Sequence, residues 1–194
     1  MPHLTRNALW SLEEYAERRP AFRQEVMAHK RRRAVHLGPN VTLLFEDEIT
    51  VRYQIQEMLR IERTFEAAGI QDELDVYNPL IPDGSNLKAT MLIEYPDPEE
   101  RAAQLQVLRG IERAVWVQAE GCPPSFAIAD EDLDRENDTK TSSVHFLRFE
   151  LSEAAITALK NGAALGMGID HPAYTVALEE IAPETQFALV SDLH

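Results

Sequence analysis

Hydrophobic positions recur along this chain at two spacings, every three to four residues as in helices and every second residue as in strands. At the N-terminus, Ser11 and Glu14 form a capping box that opens a helix, and Pro20 is expected to end it and begin a second helix that stops near Arg33. The further predicted helices are residues 50–68, 71–77, 98–109 and 153–160. The predicted strands are residues 33–37, 41–45, 88–95, 113–119, 125–129, 143–151, 164–169 and 174–179.

The order of these elements predicts an α+β fold, with a mainly antiparallel sheet and helices packed on it. Short turns join neighbouring strands, as in the hairpin around residues 38–40, and a helix does not separate every pair of strands as a doubly wound parallel sheet requires. A chain of 194 residues suits one domain, residues 1–194, with residues 1–33 as a helical N-terminal segment packed on it. Residues 130–141 are predicted as a polar, acid-rich loop.

Composition narrows the setting in which the protein works. A hydrophobic fraction of 44% with 27% charged residues excludes a disordered chain. No apolar run approaches the length of a membrane helix, and the first residues lack the apolar centre of a signal peptide, so we expect a cytoplasmic protein without a membrane partner. The single cysteine, Cys122, excludes an internal disulfide and fits a reducing compartment.

Charge is distributed unevenly along the chain. The net charge is −14, yet residues 1–40 contain eight Lys/Arg and only four Asp/Glu. The basic cluster within residues 18–33 could contact nucleic acid, but cations also stabilise the C-terminal turn of a helix, and an acidic body repels a phosphate backbone. A nucleic-acid partner is therefore the less favoured interpretation of this segment.

A carboxylate falls on the apolar side of the predicted helix 50–68. At 100° per residue, one broad face carries Val51, Ile55, Met58, Leu59, Ile61 and Phe65. Glu62 lies near the middle of that face, where an unpaired carboxylate needs a cation, a metal ion or a raised pKa. A structural ion pair with an arginine, a metal site and an acid–base role all remain open.

Alternation in the predicted strand 143–151 places His145 with Leu147 and Phe149 on the more apolar face. Glu62 and His145 are therefore the first candidates for catalytic or metal-binding residues. A histidine in a core is also commonly a hydrogen-bonded structural residue, and Arg148 is an alternative partner for Glu62 if the two strand faces are reversed.

Two other histidines are candidates for further ligands. His171 follows Asp170 at a predicted strand end, and His36 lies in the first predicted strand. Two histidines with one or two carboxylates would suit iron, manganese or zinc. Strong catalytic signatures are missing from the sequence: it contains no glycine-rich phosphate loop, dinucleotide fingerprint, nucleophile elbow or zinc-finger spacing.

Four segments together resemble a widespread bacterial family catalogued only as a domain of unknown function. They are FEDEITVRYQIQEMLRIER, YNPLIPDGSNLKATMLIEY, SSVHFLRFEL and GIDHPAY, and the resemblance extends over nearly the whole chain. Members of that family are often encoded near rubrerythrin-like proteins and iron–sulfur proteins related to heterodisulfide reductase. The resemblance implies a redox or oxidative-stress setting, and it assigns no activity and no site residues.

Three functional hypotheses follow from the sequence. The first is an accessory or interaction protein of a bacterial redox system, acting as a homo-oligomer or in complex with a rubrerythrin-like or iron–sulfur partner. The second is a metal-dependent oxidoreductase or hydrolase that uses Glu62 and His145, with His171 or His36 as further ligands. The third is a nucleic-acid contact through residues 18–33.

Overall fold

The protein is an assembly of two antiparallel β-sheets with helices packed around them, and the computed structural model describes residues 3–129 and 140–194. The helices in these residues are α1 (Leu12–Arg31), α2 (Glu48–Glu62), α3 (Ala67–Tyr77), α4 (Pro98–Val107), α5 (Glu153–Lys160) and α6 (Pro183–Val190). The strands are β1 (Ala34–Leu37), β2 (Val41–Phe45), β3 (Asn86–Ile93), β4 (Val115–Ala119), β5 (Ser125–Phe126), β6 (Ile128–Ala129), β7 (Val144–Glu150), β8 (Leu165–His171) and β9 (Tyr174–Leu178). The predicted α+β fold class is confirmed.

The strands of the described residues form two sheets. Sheet A has the order β1-β2-β3-β7-β6 and sheet B the order β5-β4-β8-β9, and every pairing is antiparallel. Only Ala127 separates β5 from β6, so one extended stretch passes from sheet B to sheet A. At the opposite side, the Tyr174 hydroxyl of β9 donates a hydrogen bond of 2.7 Å to the Leu37 carbonyl of β1. The sequence predicted residues 125–129 as one strand of a hairpin, whereas the structure divides them between the sheets.

One hydrophobic core lies between the two sheets, because each strand turns every second side chain towards it. On β3 and β7 the inward side chains include Met91, His145, Leu147 and Phe149, all of them buried. Sheet B contributes the alternate residues of β4 and β8. The predicted alternation of residues 143–151 is therefore confirmed, including the buried position of His145.

The helix α1 runs unbroken through Pro20, so the predicted division into two helices is wrong. Proline removes one backbone donor, but its fixed φ suits a helix. Side chains on both sides of it lie on one face: Tyr15, Phe22 and Val26 pack in one cluster with Tyr53 of α2. This shared packing keeps the two halves of α1 on one axis.

The helix α2 ends at Glu62, and the prediction of one helix over residues 50–68 is wrong. Arg63 adopts a left-handed conformation with φ of 55°, and the chain then begins α3, which contains Gly69. Ile61 and Phe65, counted as core residues in the prediction, are 62% and 67% exposed. The turn instead brings Leu74 of α3 back against the apolar residues of α2.

A buried ionic network joins the N-terminal and C-terminal parts of the chain. The Arg33 guanidinium is 2% exposed and forms ion pairs with Asp47, at 3.5 Å, and with Asp192. It also donates hydrogen bonds to the backbone carbonyls of Phe45, Glu46 and Ala188. The last of these belongs to α6, a helix that the sequence pattern did not predict.

The described residues leave one prediction untested and bear on another. The predicted acidic loop 130–141 falls largely on residues 130–139, which lie outside the described residues. Among the described residues, no helix has the length and the apolar character needed to cross a bilayer.

Candidate functional site

The outer face of sheet B carries a groove of about 420 Å³. Its lining residues come from three neighbouring strands and the segments that follow them: Trp116, Gln118, Glu120, Gly121, Ala164, Gly166, Ala177, Leu178, Glu179 and Glu180. The groove lies on the side of the sheet opposite the core, because the inward residues of β4 and β8 alternate with those that line it. Its residues are therefore placed by the strand register itself.

Gly166 of β8 lines the groove, and Gly168 lies two residues further along the same strand. Gly168 is paired with Trp116 of β4 and Ala177 of β9, and Gly166 is paired with Gln118. A Cβ atom on Gly168 would lie 2.4 Å from the Trp116 ring and 2.5 Å from the Val176 carbonyl oxygen. The missing side chain thus lets the indole ring lie directly over the strand, which is one reason for glycine inside a strand.

An aromatic side chain, that of Trp116, forms one wall of the groove. Phe126 of β5 is the cross-strand partner of Trp116 and is 48% exposed. The indole Nε1 of Trp116 is buried and has no hydrogen-bond partner in the described residues. A buried N–H without a partner is uncommon in native proteins, and among the described residues the Trp116 indole provides one beside this groove.

Carboxylates surround the opening. Glu120, Glu179 and Glu180 are exposed at the groove. Within the part of the chain that the structure describes, none of the three has an ion-pair partner. A low-dielectric wall beside uncompensated carboxylates concentrates a negative potential, so the groove attracts cations.

The structure places Glu62 away from any site. Glu62 is exposed at the last residue of α2, so the prediction that it faces the core is wrong. The apolar stripe of α2 is narrower than the sequence suggested, because it consists of the residues at Val51, Ile55 and Leu59. The carboxylate of α2 that does meet an arginine is Glu57.

Glu57 accepts hydrogen bonds from several donors of the helical layer. Its oxygens lie 2.6 and 2.9 Å from the Arg19 guanidinium nitrogens and 2.7 Å from the Tyr15 hydroxyl. The bonds from Arg19, and secondarily from Tyr15 and Arg60, outweigh burial and hold the pKa of the Glu57 carboxyl at about 2. This arrangement joins α1 to α2, and it is a structural ion pair.

Replacing Glu57 with glutamine is expected to lower the free energy of unfolding at neutral pH by about 1–3 kcal/mol, the range for charge-assisted hydrogen bonds. A carboxyl whose folded-state pKa is depressed stabilises the fold above its ordinary pKa, and this contribution is lost as the pH falls through about 2. The difference between wild type and Glu57→Gln in urea titrations should therefore shrink as the pH falls below about 4.5. Glu62→Gln on the same helix is the control and should change stability by less than about 0.5 kcal/mol; a larger effect than that of Glu57→Gln would contradict the placement.

His145 is fully buried and belongs to a small polar cluster. Its Nε2 lies 2.9 Å from the Thr141 hydroxyl oxygen and 3.0 Å from the Ser142 carbonyl oxygen. The Thr141 hydroxyl also donates to the Glu112 carboxylate at 3.3 Å, and both of those residues are buried. The Thr141 hydroxyl thus contacts both a histidine and a carboxylate, and the carboxylate is that of Glu112, not Glu62.

The other two histidines lie on different parts of the fold. His36 is exposed on β1, with Nδ1 3.0 Å from the Thr42 hydroxyl, and the His171 Nε2 at the end of β8 lies 3.0 Å from the Arg109 carbonyl oxygen. Residues 3–129 and 140–194 contain no group of three or more His, Cys, Asp or Glu side chains placed to hold a metal ion. Iron, manganese or zinc binding at Glu62, His145, His171 and His36 stays a prediction, without support from their placement.

The groove was not among the sites found in the sequence. The prediction placed Trp116 in the strand 113–119 but gave no role to the glycines of the strand 164–169. Gly166 and Gly168 occupy alternate positions, so they lie on one face of β8. Two glycines on one face of a strand are a signal for close approach of another group, and this signal was available.

Comparison with known proteins assigns the family. The family described as "Protein of unknown function (DUF3501)" matches residues 3–193. A solved structure, the crystal structure of a novel protein of unknown function from Burkholderia pseudomallei, is 52% identical in sequence, with a TM-score of 0.95 over 100% of both chains. No curated protein matches. Because the match includes nearly every residue, the chain belongs to the DUF3501 family.

Proposed function

We propose that this protein is an accessory binding protein that holds a positively charged segment of a partner protein in the groove on sheet B. The observation that supports the proposal is one concave surface that combines Trp116, Gly166 and three carboxylates without ion pairs in the described residues. Among the described lining residues the only ionisable side chains are the three glutamates, and we assign them an electrostatic role in binding.

A lysine or arginine side chain fits this surface in two ways. Its charged end would meet Glu120, Glu179 or Glu180, and an arginine or lysine over the face of Trp116 gains a cation–π interaction. Gly166 keeps the outer face of β8 free of a side chain within the groove, and a Cβ atom there would lie 2.9 Å from the Glu179 carbonyl oxygen. The net charge of −14 adds a longer-range attraction for a basic partner.

Binding of a fluorescently labelled hexa-arginine peptide, followed by anisotropy, tests this function. An exposed charge pair contributes up to about 0.5 kcal/mol, so replacing Glu120, Glu179 and Glu180 together with glutamine should weaken binding about tenfold. The control variant replaces Glu13, Glu17 and Glu25 of α1, three exposed glutamates without ion pairs in the described residues, and removes the same charge. It should weaken binding less than about twofold in physiological salt, where remote charges are screened.

Equal weakening by the two triple variants would show that the peptide senses only the overall charge, and would contradict a groove site. Trp116→Leu separates the aromatic contribution from the carboxylates. The loss of the cation–π contact should weaken the peptide about fivefold, because such contacts contribute about 1 kcal/mol at exposed sites. An unchanged affinity would exclude Trp116 as the wall that contacts the ligand.

The redox setting supplies the first partners to test. From the family resemblance, we propose that the basic segment belongs to a rubrerythrin-like or heterodisulfide-reductase-related iron–sulfur protein of the same organism. Mixing the purified proteins should give a complex in size-exclusion chromatography that the groove triple variant does not form. Absence of a complex with such partners, together with intact peptide binding, would contradict the redox setting and leave the groove.

A further inference from the structure

A second site of opposite charge lies in the helical layer. Arg52 of α2 stacks against two aromatic rings, with its guanidinium carbon 4.1 Å from the centre of the Trp10 ring and 5.6 Å from that of Phe22. The guanidinium carbon of Arg18 lies 5.2 Å from the same Trp10 ring. Two arginines therefore converge on one tryptophan, on the side of the molecule formed by α1 and α2.

Hydrogen bonds to its backbone and packing of its ring hold Trp10 in position. Gln56, which is fully buried one helical turn after Arg52, accepts a hydrogen bond of 2.7 Å from the Trp10 backbone N–H and donates one of 3.4 Å to its carbonyl oxygen. The Trp10 ring also packs edge-on against Phe22, with ring centres 5.0 Å apart. Arg52 and Gln56 are at i and i+4, so one face of α2 holds both the ring and the cation stacked on it.

Arg52 differs from Arg18 and Arg19 in having no anionic partner among the described residues. Arg18 pairs with Glu14 at 2.9 Å, and Arg19 pairs with Glu57 at 2.6 Å. In the described residues no carboxylate lies within 4.0 Å of the Arg52 guanidinium, and its Nε is buried without a hydrogen-bond partner. The Arg52 guanidinium is thus held by stacking on aromatic rings, and no carboxylate of the described residues balances its charge.

We propose that Arg52 and Arg18 form a binding site for a small oxyanion, a carboxylate or a phosphate group. Stacking on an aromatic ring occupies the face of a guanidinium and leaves its edge for a bidentate oxyanion. Arg52 is partly exposed, and Nε is its one guanidinium nitrogen that is both buried and unpaired in the described residues, so an oxyanion would bind at the edge formed by the two terminal nitrogens. With Glu14 as the one carboxylate paired in this cluster, the two arginines carry a net positive charge that an oxyanion would balance.

Calorimetric titration with inorganic phosphate, and separately with acetate, tests the site at constant ionic strength in sodium chloride. Wild-type protein should show saturable binding of at least one of the two. Arg52→Gln should weaken it at least about tenfold, since it removes the bidentate partner. Arg52→Lys keeps the positive charge but loses the planar guanidinium that binds an oxyanion through two nitrogens, so this variant should also bind the anion several-fold more weakly. Arg23→Gln, an exposed arginine of α1 without an ion pair in the described residues, is the matched control and should change little.

The NMR signals of the two tryptophans distinguish ligand binding at this site from ligand binding in the groove. The indole N–H groups of Trp10 and Trp116 give two signals in a proton–nitrogen correlation spectrum, assigned by the loss of one in Trp10→Phe. Phosphate or acetate should move the Trp10 signal, whereas the hexa-arginine peptide should move that of Trp116. No saturable binding of either anion, or equal affinity in folded Arg52→Gln, would overturn the oxyanion site without touching the groove proposal.

Discussion

Arg33→Met is expected to lower the free energy of unfolding at pH 7 by about 3–5 kcal/mol, the range for removing one partner of a buried ion pair. The Arg33 side chain is buried, and its loss leaves Asp47 and Asp192 without this cation. Three backbone carbonyls lose a donor as well. Urea denaturation followed by circular dichroism measures the change. Arg32→Met, at the exposed neighbouring position, should change stability by less than about 0.5 kcal/mol.

The pH dependence of this variant identifies the carboxylate responsible. Burial already raises the pKa of Asp192 in spite of the neighbouring Arg33 guanidinium. Without Arg33 that pKa should rise further, and a carboxyl with a raised folded-state pKa destabilises the fold as the pH rises through that value. The penalty of Arg33→Met should therefore be largest at neutral pH and shrink as the pH falls towards about 4. Adding Asp192→Asn should recover part of the loss at pH 7; no recovery and no pH dependence would contradict the role of Asp192.

Local signals in the sequence were sufficient for much of the fold. Ser11 was predicted to open the first helix, and its hydroxyl accepts a hydrogen bond from the Glu14 backbone N–H. The helices predicted over 98–109 and 153–160 also begin at the predicted residues, Pro98 and Glu153. Capping and strand alternation depend on residues a few positions apart, so a single sequence contains the information. The strand β7 was predicted almost to the residue for the same reason.

Errors occurred where packing between distant segments decides the structure. Pro20 ends many helices, but α1 continues because residues on both sides of it pack on α2. Ile61 and Phe65 fit a helical stripe in the sequence, yet the stripe ends earlier and α3 folds back. These two apolar residues led to the prediction that Glu62 faces the core, so the error in the helix end also produced the wrong candidate site residue.

The candidate site illustrates the same limit. Trp116, Gly168 and Ala177 lie on three strands and become neighbours only through the register of sheet B. The sequence shows that Gly168 lies within a strand, but not which strand is paired with it. Arg52 gave no signal in the sequence either, because its isolation from carboxylates depends on how α1 and α2 pack.

The second large effect is expected for Gly168→Ala, which should lower the free energy of unfolding by about 1–3 kcal/mol, as overpacking does in well-packed cores. The added Cβ would lie 2.5 Å from the Val176 carbonyl oxygen, a backbone atom of the neighbouring strand, and 2.4 Å from the Trp116 ring. Neither contact is tolerated, so β9 or the indole must move. Since both belong to the groove, the variant should also lose hexa-arginine binding at temperatures where it remains folded.

A matched glycine and a double variant separate the causes of this effect. Gly69→Ala, inside α3, would place a Cβ 2.5 Å from the Thr64 Cγ2 atom, a side-chain methyl that can move by rotation about χ1, and alanine is the better helix former, so stability should change by less than about 1 kcal/mol. In a double-mutant cycle, adding Trp116→Ala to Gly168→Ala removes the contact with the ring but keeps the contact with the Val176 carbonyl oxygen. If the ring contact dominates, Gly168→Ala should be nearly harmless in the Trp116→Ala background. If the backbone contact dominates, Gly168→Ala should lower the free energy of unfolding by the same amount in the Trp116→Ala background. The main role of Gly168 is then to permit the pairing of β8 with β9.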